Sequence, residues 1–338
     1  MDKLTTPLFS LGSPGARLVG IAKLAAAGEA LEEGHNVEYR TLENRTVLCR
    51  CTSPRVPFEW TINPYRGCEF ACKYCYARYT HEFMELRDDF DFERRIFVKQ
   101  HTGWALRSEL KKVRAGESIA IGTATDPYQP AERRFGITRA LLEEFAQHRG
   151  LRLGLVTKSN LIVRDLELLQ AIAEHNDLSI HMTVTTVNTD LARILEPRAP
   201  RPDLRLKAVQ TLAEGGLHVG VNCAPVLPAI TDSPADLEKV VQAAAAAGAK
   251  SVFANSLFLK PCSAKVFMPF LEESFPQLVP LYKKRYSGRA FLPPEYRRRI
   301  TALVRKLCEK YAIGKRGPGK ERAFVVTQRG AAQLRLFA

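Results

Sequence analysis

Short runs of β-forming residues alternate with helix-like segments through the middle of the chain. Six runs are bounded by glycine, proline or polar residues: FEWTIN (58–63), SIAIG (118–122), RLGLVT (152–157), LSIHMTV (178–184), HVGVN (218–222) and SVFANSL (251–257). Between them, segments such as VRDLELLQAIAEH (163–175) place apolar residues three and four apart, as one buried helix face requires. This alternation predicts parallel strands joined by right-handed helical crossovers.

Two α/β architectures fit about six parallel strands: a doubly wound sheet and an incomplete barrel. Both place their chemistry at the carboxyl ends of the strands. We expect the alternating unit to cover residues 56–258. Residues 1–55 are predicted to form an irregular extension, and residues 259–338 a basic, proline-punctuated helical appendage.

The composition places the chain among ordinary soluble globular proteins, with 46% hydrophobic and 25% charged residues. No apolar run approaches the ~18 charge-free residues of a membrane span. The first twenty residues show no export signal. These features predict a cytoplasmic protein that does not enter a membrane. Thiols stay reduced in that compartment, so clustered cysteines favour metal binding or catalysis over disulfides. The oligomeric state is not encoded in any pattern of the sequence.

Positive charge is concentrated at the carboxyl end of the chain. From Leu281 onward there are sixteen Lys or Arg and only three acidic residues, which accounts for +13 of the net charge of +14. Such a one-sided excess is typical of a surface that binds phosphates. A solvated helix face followed by a charged tail, or a docking surface for a partner protein, has the same composition. DNA and RNA are therefore candidate partners.

The segment NPYRGCEFACKYCYA (63–77) gathers Cys68, Cys72 and Cys75 into eight positions, directly after the first predicted strand. Thiolates are the ligands of iron–sulfur clusters, and three of them leave one iron of a 4Fe–4S cube open to another ligand. A structural zinc site is the alternative, and it needs a fourth ligand such as His81.

Several motifs occur in one order along the chain: INPYRGC, YCYA, GTATDPYQPAE, VTKSN and LEPRAP. Together they resemble the radical S-adenosylmethionine superfamily, and within it the spore photoproduct lyase-like group. The resemblance implies an incomplete (β/α)6 barrel, a 4Fe–4S cluster and S-adenosylmethionine. It also implies a reductant such as flavodoxin or ferredoxin, reductive cleavage to a 5′-deoxyadenosyl radical, and hydrogen abstraction from a substrate. The group suggests a nucleic-acid lesion as that substrate.

The resemblance assigns roles to individual residues. Cys68, Cys72 and Cys75 would bind the cluster. Lys158, in VTK, would contact the carboxylate of the cosubstrate, which suits a compact ammonium group. Thr125 and Asp126 match a strand-end motif that binds the cosubstrate, although Asp126 precedes a proline and is also suited to forming a turn.

One position departs from the lyase pattern. The cysteine that returns a hydrogen atom to the product radical is replaced by Thr123, whose O–H bond is too strong for that role. Tyr76 matches the tyrosine that relays the hydrogen. Cys223 is a candidate replacement donor, although a buried cysteine more often only packs in the core.

Two other functions agree with the same residues. The radical chemistry could act on RNA, a peptide or a small metabolite, since fold-level analogy says little about substrate. Alternatively, the chain could be a non-catalytic, zinc-stabilised nucleic-acid-binding protein.

Overall fold

The computed structural model describes residues 18–34, 36–44, 46–52 and 56–314. The strands are β1 (Ala30–Gly34), β2 (Val37–Leu42), β3 (Leu48–Arg50), β4 (Trp60–Ile62), β5 (Tyr65–Arg66), β6 (Arg95–Lys99), β7 (Ser118–Ile121), β8 (Arg152–Thr157), β9 (Asp177–Thr183), β10 (Val219–Val226) and β11 (Ser251–Ser256). The α-helices are α1 (Gly20–Ala27), α2 (Tyr79–Glu82), α3 (Asp91–Arg94), α4 (Thr102–Glu109), α5 (Ala131–Phe135), α6 (Ile137–Phe145), α7 (Leu166–His175), α8 (Thr189–Leu195), α9 (Pro202–Glu214), α10 (Pro234–Ala246), α11 (Pro261–Ser274), α12 (Val279–Tyr286) and α13 (Pro294–Lys310). Short 3₁₀ helices cover Tyr76–Arg78, Leu110–Lys112, Asn160–Asp165 and Pro276–Leu278. None of these helices combines the length and the apolar character that crossing a membrane requires.

The larger sheet has seven strands in the order β11-β10-β9-β8-β7-β4-β3. Six of these strands, β4, β7, β8, β9, β10 and β11, pair in parallel, and β3 pairs antiparallel with β4 at one edge. The prediction of parallel strands linked by helices is therefore confirmed. Because all six strands run the same way, their carboxyl ends and the loops that follow them lie at one edge of the sheet.

The two faces of this sheet have different neighbours. Apolar side chains that alternate along the strands, such as Leu155, Ile180 and Val221, belong to the main core cluster together with residues of the surrounding helices. Residues at the intervening positions, including His181 and Asn222, are only half-buried. Since successive side chains of a strand point to opposite faces, one face packs against helices and the other carries the polar groups.

A second, smaller sheet corrects the prediction of an irregular extension over residues 1–55. Its strand order is β1-β2-β6-β5, and β3 also comes from this region. The strand β2 was missed because its apolar residues Val37 and Tyr39 alternate with Glu38 and Arg40, which pair with each other at 2.6 Å on its more exposed face. Residues 1–17 and 53–55 lie outside the described residues.

Residues 260–314 are largely helical, and their helices pack in two places. Ile300, Val304 and Leu307 of α13 join the main core cluster beside β11. Phe267 of α11 and Tyr282 of α12 belong to a separate cluster that contains the cysteine segment. Six of the sixteen basic residues counted from Leu281 lie beyond position 314, outside the described part of the chain.

Candidate functional site

The cysteine segment begins where the chain passes from the larger sheet to the smaller one. Gly67 has φ +85°, and a Cβ atom there would lie 2.8 Å from the carbonyl oxygens of Phe92 and Arg95. Only glycine fits this close approach without strain. The next residue, Cys68, donates its backbone N–H to the Phe92 carbonyl at 2.9 Å. The chain direction at the first cysteine is therefore fixed by the neighbouring β6 region.

The other two cysteines follow on a tight turn, because the N–H of Cys75 donates to the carbonyl of Cys72 at 3.2 Å. Cys72 is only 7% exposed and packs with Phe70 and Tyr74. Burial raises the pKa of the Cys72 thiol to about 12, and the nearby Lys158 opposes that rise. Burial likewise raises the pKa of Cys68, with further contributions from Asp126 and Cys72. The three thiols share one shielded loop.

Two buried contacts hold the turn in place from outside. Arg78 pairs with Glu93 and donates to the carbonyls of Asp89 at 2.9 Å and Cys72 at 3.3 Å. Ser263 of α11 donates its hydroxyl to the Cys75 carbonyl at 2.9 Å. The backbone of the loop is thus fixed independently of its thiols.

Thr125, in the loop after β7, contacts the start of the cysteine segment. Its hydroxyl donates to the Gly67 carbonyl at 2.5 Å and accepts from the side-chain amide of Gln129 at 2.9 Å. The same amide also donates to Gly67 at 3.1 Å. Thr125 therefore connects the end of β7 to the residue before the first cysteine.

Asp126 connects the end of β7 to the end of β8. One carboxylate oxygen accepts from the backbone N–H of Lys158 at 2.7 Å, and the other accepts from the Thr157 hydroxyl at 2.7 Å and the Tyr128 N–H at 2.9 Å. The side chain is buried. Through these contacts Asp126 positions the backbone of Lys158.

Lys158 lies beside the cysteine segment. Its ammonium nitrogen is 5.7 Å from the ring centroid of Tyr74. Burial lowers the pKa of Lys158, but the neighbouring Cys72 and Glu196 more than offset this, so that its pKa is raised. The loop thus faces a cation that stays protonated at neutral pH.

A buried ionic network behind Tyr74 was not among the predicted site residues. Glu196 forms an ion pair with Arg205, and these side chains are only 1% exposed. Glu196 also accepts hydrogen bonds from the hydroxyls of Tyr74 and Thr185, the latter at 2.9 Å. Glu196 belongs to the LEPRAP motif, but the motif alone does not indicate that Glu196 forms a buried ion pair.

Tyr76 and Thr123, the two positions matched to the hydrogen-return pathway of the lyase pattern, contact each other in the structure. The Tyr76 hydroxyl donates to the backbone carbonyl of Thr123, and the tyrosine is 39% exposed. The Thr123 hydroxyl lies 2.6 Å from that of Thr61 and accepts from Asn63 at 3.3 Å. Tyr76 therefore reaches from the cysteine loop to the end of β7.

Cys223 lies apart from this group. It is 1% exposed in β10 and belongs to the main core cluster, on the helix-facing side with Val219 and Val221. The loop cysteines belong to a different cluster. The structure thus places Cys223 among aliphatic side chains, which favours packing.

His81, the predicted fourth ligand of the zinc alternative, packs between the rings of Phe92 and Phe97. Its Nε2 lies 3.0 Å from the Arg95 carbonyl. Burial lowers the pKa of His81 to about 4. The imidazole is therefore neutral and held by the smaller sheet.

This burial makes a pH-dependent prediction. The unfolded chain binds a proton at His81 near pH 6.5, while the folded protein binds it only near pH 4. Stability is therefore lost as the pH falls from about 6.5 to 4, by about 3 kcal/mol. In urea unfolding between pH 7 and 4, we expect His81→Phe to show a shallower loss of stability than the wild type. An equally steep loss in both proteins would contradict the assignment.

The donor set fits an iron–sulfur cluster. In the described residues, no three His, Cys, Asp or Glu side chains gather around one ion position. The three thiols come from one loop, and a cluster takes each thiolate on a different iron. Lys158 and Arg78 lower the pKa of Cys75 against the larger effect of burial, so both favour its thiolate form.

Known proteins resemble this chain in sequence and in fold. An uncharacterized protein of Mycobacterium tuberculosis (strain H37Rv) is 33% identical over 307 residues, which cover 89% of this chain and 87% of that protein. An uncharacterized protein of Methanocaldococcus jannaschii is 24% identical over 237 residues, covering 69% and 83%.

Solved structures of spore photoproduct lyase share the fold. A double mutant with bound AdoMet and dinucleoside spore photoproduct superposes with a TM-score of 0.62 at 17% identity, over 81% of this chain and 80% of the lyase. A single mutant gives a TM-score of 0.63 at 15% identity, over 90% and 86%. The family model described as the radical SAM superfamily matches residues 62–244, more than half of the chain. The chain therefore belongs to the radical S-adenosylmethionine superfamily, which uses a 4Fe–4S cluster and S-adenosylmethionine.

Proposed function

We propose that this enzyme abstracts a hydrogen atom from a nucleic-acid substrate. The observation that carries hydrogen abstraction is the placement of Cys72 and Cys75 beside Lys158, on the same loop as the contact between Tyr76 and Thr123. When bound, the cluster and S-adenosylmethionine supply a 5′-deoxyadenosyl radical through one-electron reductive cleavage.

Each side chain near the thiols has a proposed task. Cys68, Cys72 and Cys75 hold the cluster, and Lys158 binds the carboxylate of the cosubstrate. Asp126 holds the backbone of Lys158, and the Thr125 hydroxyl holds the cysteine segment through Gly67. Since the cofactors perform the difficult bond cleavage, the protein contributes positioning and the exclusion of water.

We infer that the six parallel strands curve into an incomplete (β/α)6 barrel, with the site at their carboxyl ends. The similarity in fold to spore photoproduct lyase and the strand order support this. We propose that residues 56–258 form the core unit and that residues 259–338 form a basic appendage. The helices α11 and α12 of the appendage cover the cysteine loop.

The return of hydrogen to the product follows a different route from that of the lyase pattern. Thr123 replaces the cysteine donor, and its hydroxyl is already engaged with Thr61 and Asn63. Tyr76 is exposed and near the loop, so we propose that it takes part in hydrogen transfer. A donor role for Cys223 stays a prediction, and its apolar surroundings favour a packing role.

Nucleic acid is the substrate class that the charge distribution supports. The spore photoproduct lyase structure contains a dinucleoside photoproduct. In this chain, α12 and α13 carry exposed basic residues such as Lys284, Arg298 and Arg305. These positions suit contacts with phosphates around a base that has been flipped out of the helix.

Binding measured at several salt concentrations tests the substrate class. Anaerobically reconstituted protein is titrated with a fluorescent duplex oligonucleotide at 50 to 200 mM salt. Six or more phosphate contacts would weaken binding about 1,000-fold or more over this range. We expect the double variant Arg298→Gln/Arg305→Gln to show a weaker dependence of affinity on salt. The control double variant Arg149→Gln/Arg201→Gln changes two exposed arginines elsewhere on the surface and should keep the salt dependence of the wild type. Binding that is weak at all salt concentrations would favour a peptide or a small metabolite as the substrate.

A further inference from the structure

Two basic side chains share one face of the smaller sheet, next to the cysteine segment. Arg66 of β5 lies opposite Phe97 of β6 in the antiparallel register. Lys99 is two residues beyond Phe97 and therefore points to the same face. Diagonal neighbours of this kind are about 7–8 Å apart. We call the group formed by Arg66, Lys99 and their electrostatic neighbour Cys49 the cationic pocket.

Both cations of the cationic pocket are largely removed from water without a paired acid. Lys99 is only 5% exposed, and in the part of the chain that the structure describes its ammonium group makes no hydrogen bond or ion pair. The Nε of Arg66 is buried and also has no partner there. A buried charge is unfavourable unless a counter-charge accompanies it. The arrangement therefore calls for an anion.

The groups around the cationic pocket do not supply that anion. Glu109 is the nearby acid, but its Oε2 accepts from the backbone N–H groups of Val47 and Leu48, and its Oε1 lies 3.8 Å from Lys112. The exposed Cys49 thiol is an electrostatic neighbour of both cations.

The charge of the pocket persists at neutral pH. Burial lowers the pKa of Lys99 to about 8, so its ammonium form still dominates at pH 7. Arginine stays protonated in proteins. Two positive charges thus lie on the same face of the smaller sheet.

We propose that the cationic pocket binds a phosphate group. The planar guanidinium of Arg66 suits two parallel hydrogen bonds to phosphate oxygens, and the ammonium of Lys99 adds a compact second charge. Arg66 directly precedes Gly67 and Cys68, so the bound group lies beside the start of the cluster-binding segment. The phosphate can come from inorganic phosphate or from the backbone of a nucleic-acid substrate. The second source rests on the proposed function.

Thermal unfolding of the reconstituted protein tests the pocket with inorganic phosphate at constant ionic strength. Since a ligand that binds only the folded state stabilises it by an amount that grows with the logarithm of its concentration above the Kd, we expect phosphate to raise the Tm of the wild type. Lys99→Met and Arg66→Gln should each weaken the apparent affinity by about 10- to 100-fold. Lys112→Met, which removes an exposed lysine near Glu109, should respond like the wild type. An equal response of all four proteins would mean only a general salt effect, and would overturn the proposal.

The thiol of Cys49 gives a second readout that does not depend on stability. Phosphate in the pocket should slow alkylation of Cys49 by iodoacetamide, measured by peptide mass spectrometry, in the wild type and in Lys112→Met. In Lys99→Met this protection should disappear. Protection that survives in Lys99→Met, or none in the wild type, would contradict the site.

Competition with a dinucleotide that contains one phosphodiester identifies the source. If it prevents Cys49 alkylation as phosphate does, the pocket holds a nucleic-acid phosphate; if only phosphate protects, the pocket holds the free ion. Both results support the phosphate site. If neither ligand slows the alkylation of Cys49, the site is excluded. Since no readout requires turnover, loss of the pocket would leave the proposed function untouched.

Discussion

Replacing Cys72 with alanine should remove the iron–sulfur cluster and abolish the formation of 5′-deoxyadenosine. Cys72 is the middle one of the three proposed ligands and is the most deeply buried of the loop cysteines. A cluster held by only two thiolates has lost a third of its protein ligands, and its irons are more easily lost to solvent. We expect the iron content and the visible absorption of the cluster to fall to background after anaerobic reconstitution.

Cys308→Ala is the matched control. Cys308 is half-buried in α13, where its thiol packs near the Val252 carbonyl at 4.0 Å. This variant should retain the iron content and activity of the wild type. Full cluster content in Cys72→Ala would show that this cysteine is not a ligand, and loss of the cluster in both variants would point to general misfolding.

Replacing Arg205 with methionine should destabilise the protein by about 3–5 kcal/mol, because Glu196 would be left buried without its partner. Arg205 also donates to the carbonyls of Pro200 at 2.6 Å and Thr183 at 3.1 Å, and these acceptors would lose a donor. The free energy of unfolding from urea titration measures the effect. Arg201→Met, which breaks an exposed pair with Asp203 at the start of the same helix, should cost less than about 1 kcal/mol.

The same network makes a pH prediction with a defined sign. Burial raises the pKa of Glu196, but Arg205 and Lys158 outweigh it, so its folded pKa lies below the usual value. Its contribution to stability is present above pH ~4.3 and is lost as the pH falls through the folded pKa. In Glu196→Gln this acid-dependent part should be absent. If the stability of Glu196→Gln fell with pH as steeply as that of the wild type, or if Arg205→Met lowered the free energy of unfolding only slightly, the ion pair would contribute little to stability.

Much of the fold could be predicted because its strands have a clear pattern. The runs at 152–157 and 178–184 became β8 and β9 almost residue for residue, since β-branched and aliphatic residues are bounded by polar turns. The strand β2 could not be recognised, because Glu38 and Arg40 interrupt its short apolar pattern. The pairing of β2 with β6, more than fifty residues away, is a tertiary property that no local pattern reveals.

The site was predictable where one motif brings its residues together along the chain. The spacing of the three cysteines requires no knowledge of the fold. The contact of Tyr76 with Thr123 spans 47 residues, and the resemblance named both positions without predicting that they touch. The pair of Glu196 and Arg205 was missed because an acid and a base nine positions apart look like ordinary surface charges until their burial is known.

The most direct test of the radical mechanism uses the unmodified protein. After anaerobic reconstitution with iron and sulfide, it is incubated with dithionite and S-adenosylmethionine, and 5′-deoxyadenosine is measured by chromatography. We predict a brown protein with about four irons per chain that forms 5′-deoxyadenosine only when both reagents are present. A colourless protein that binds one zinc ion and forms no 5′-deoxyadenosine would contradict the radical mechanism.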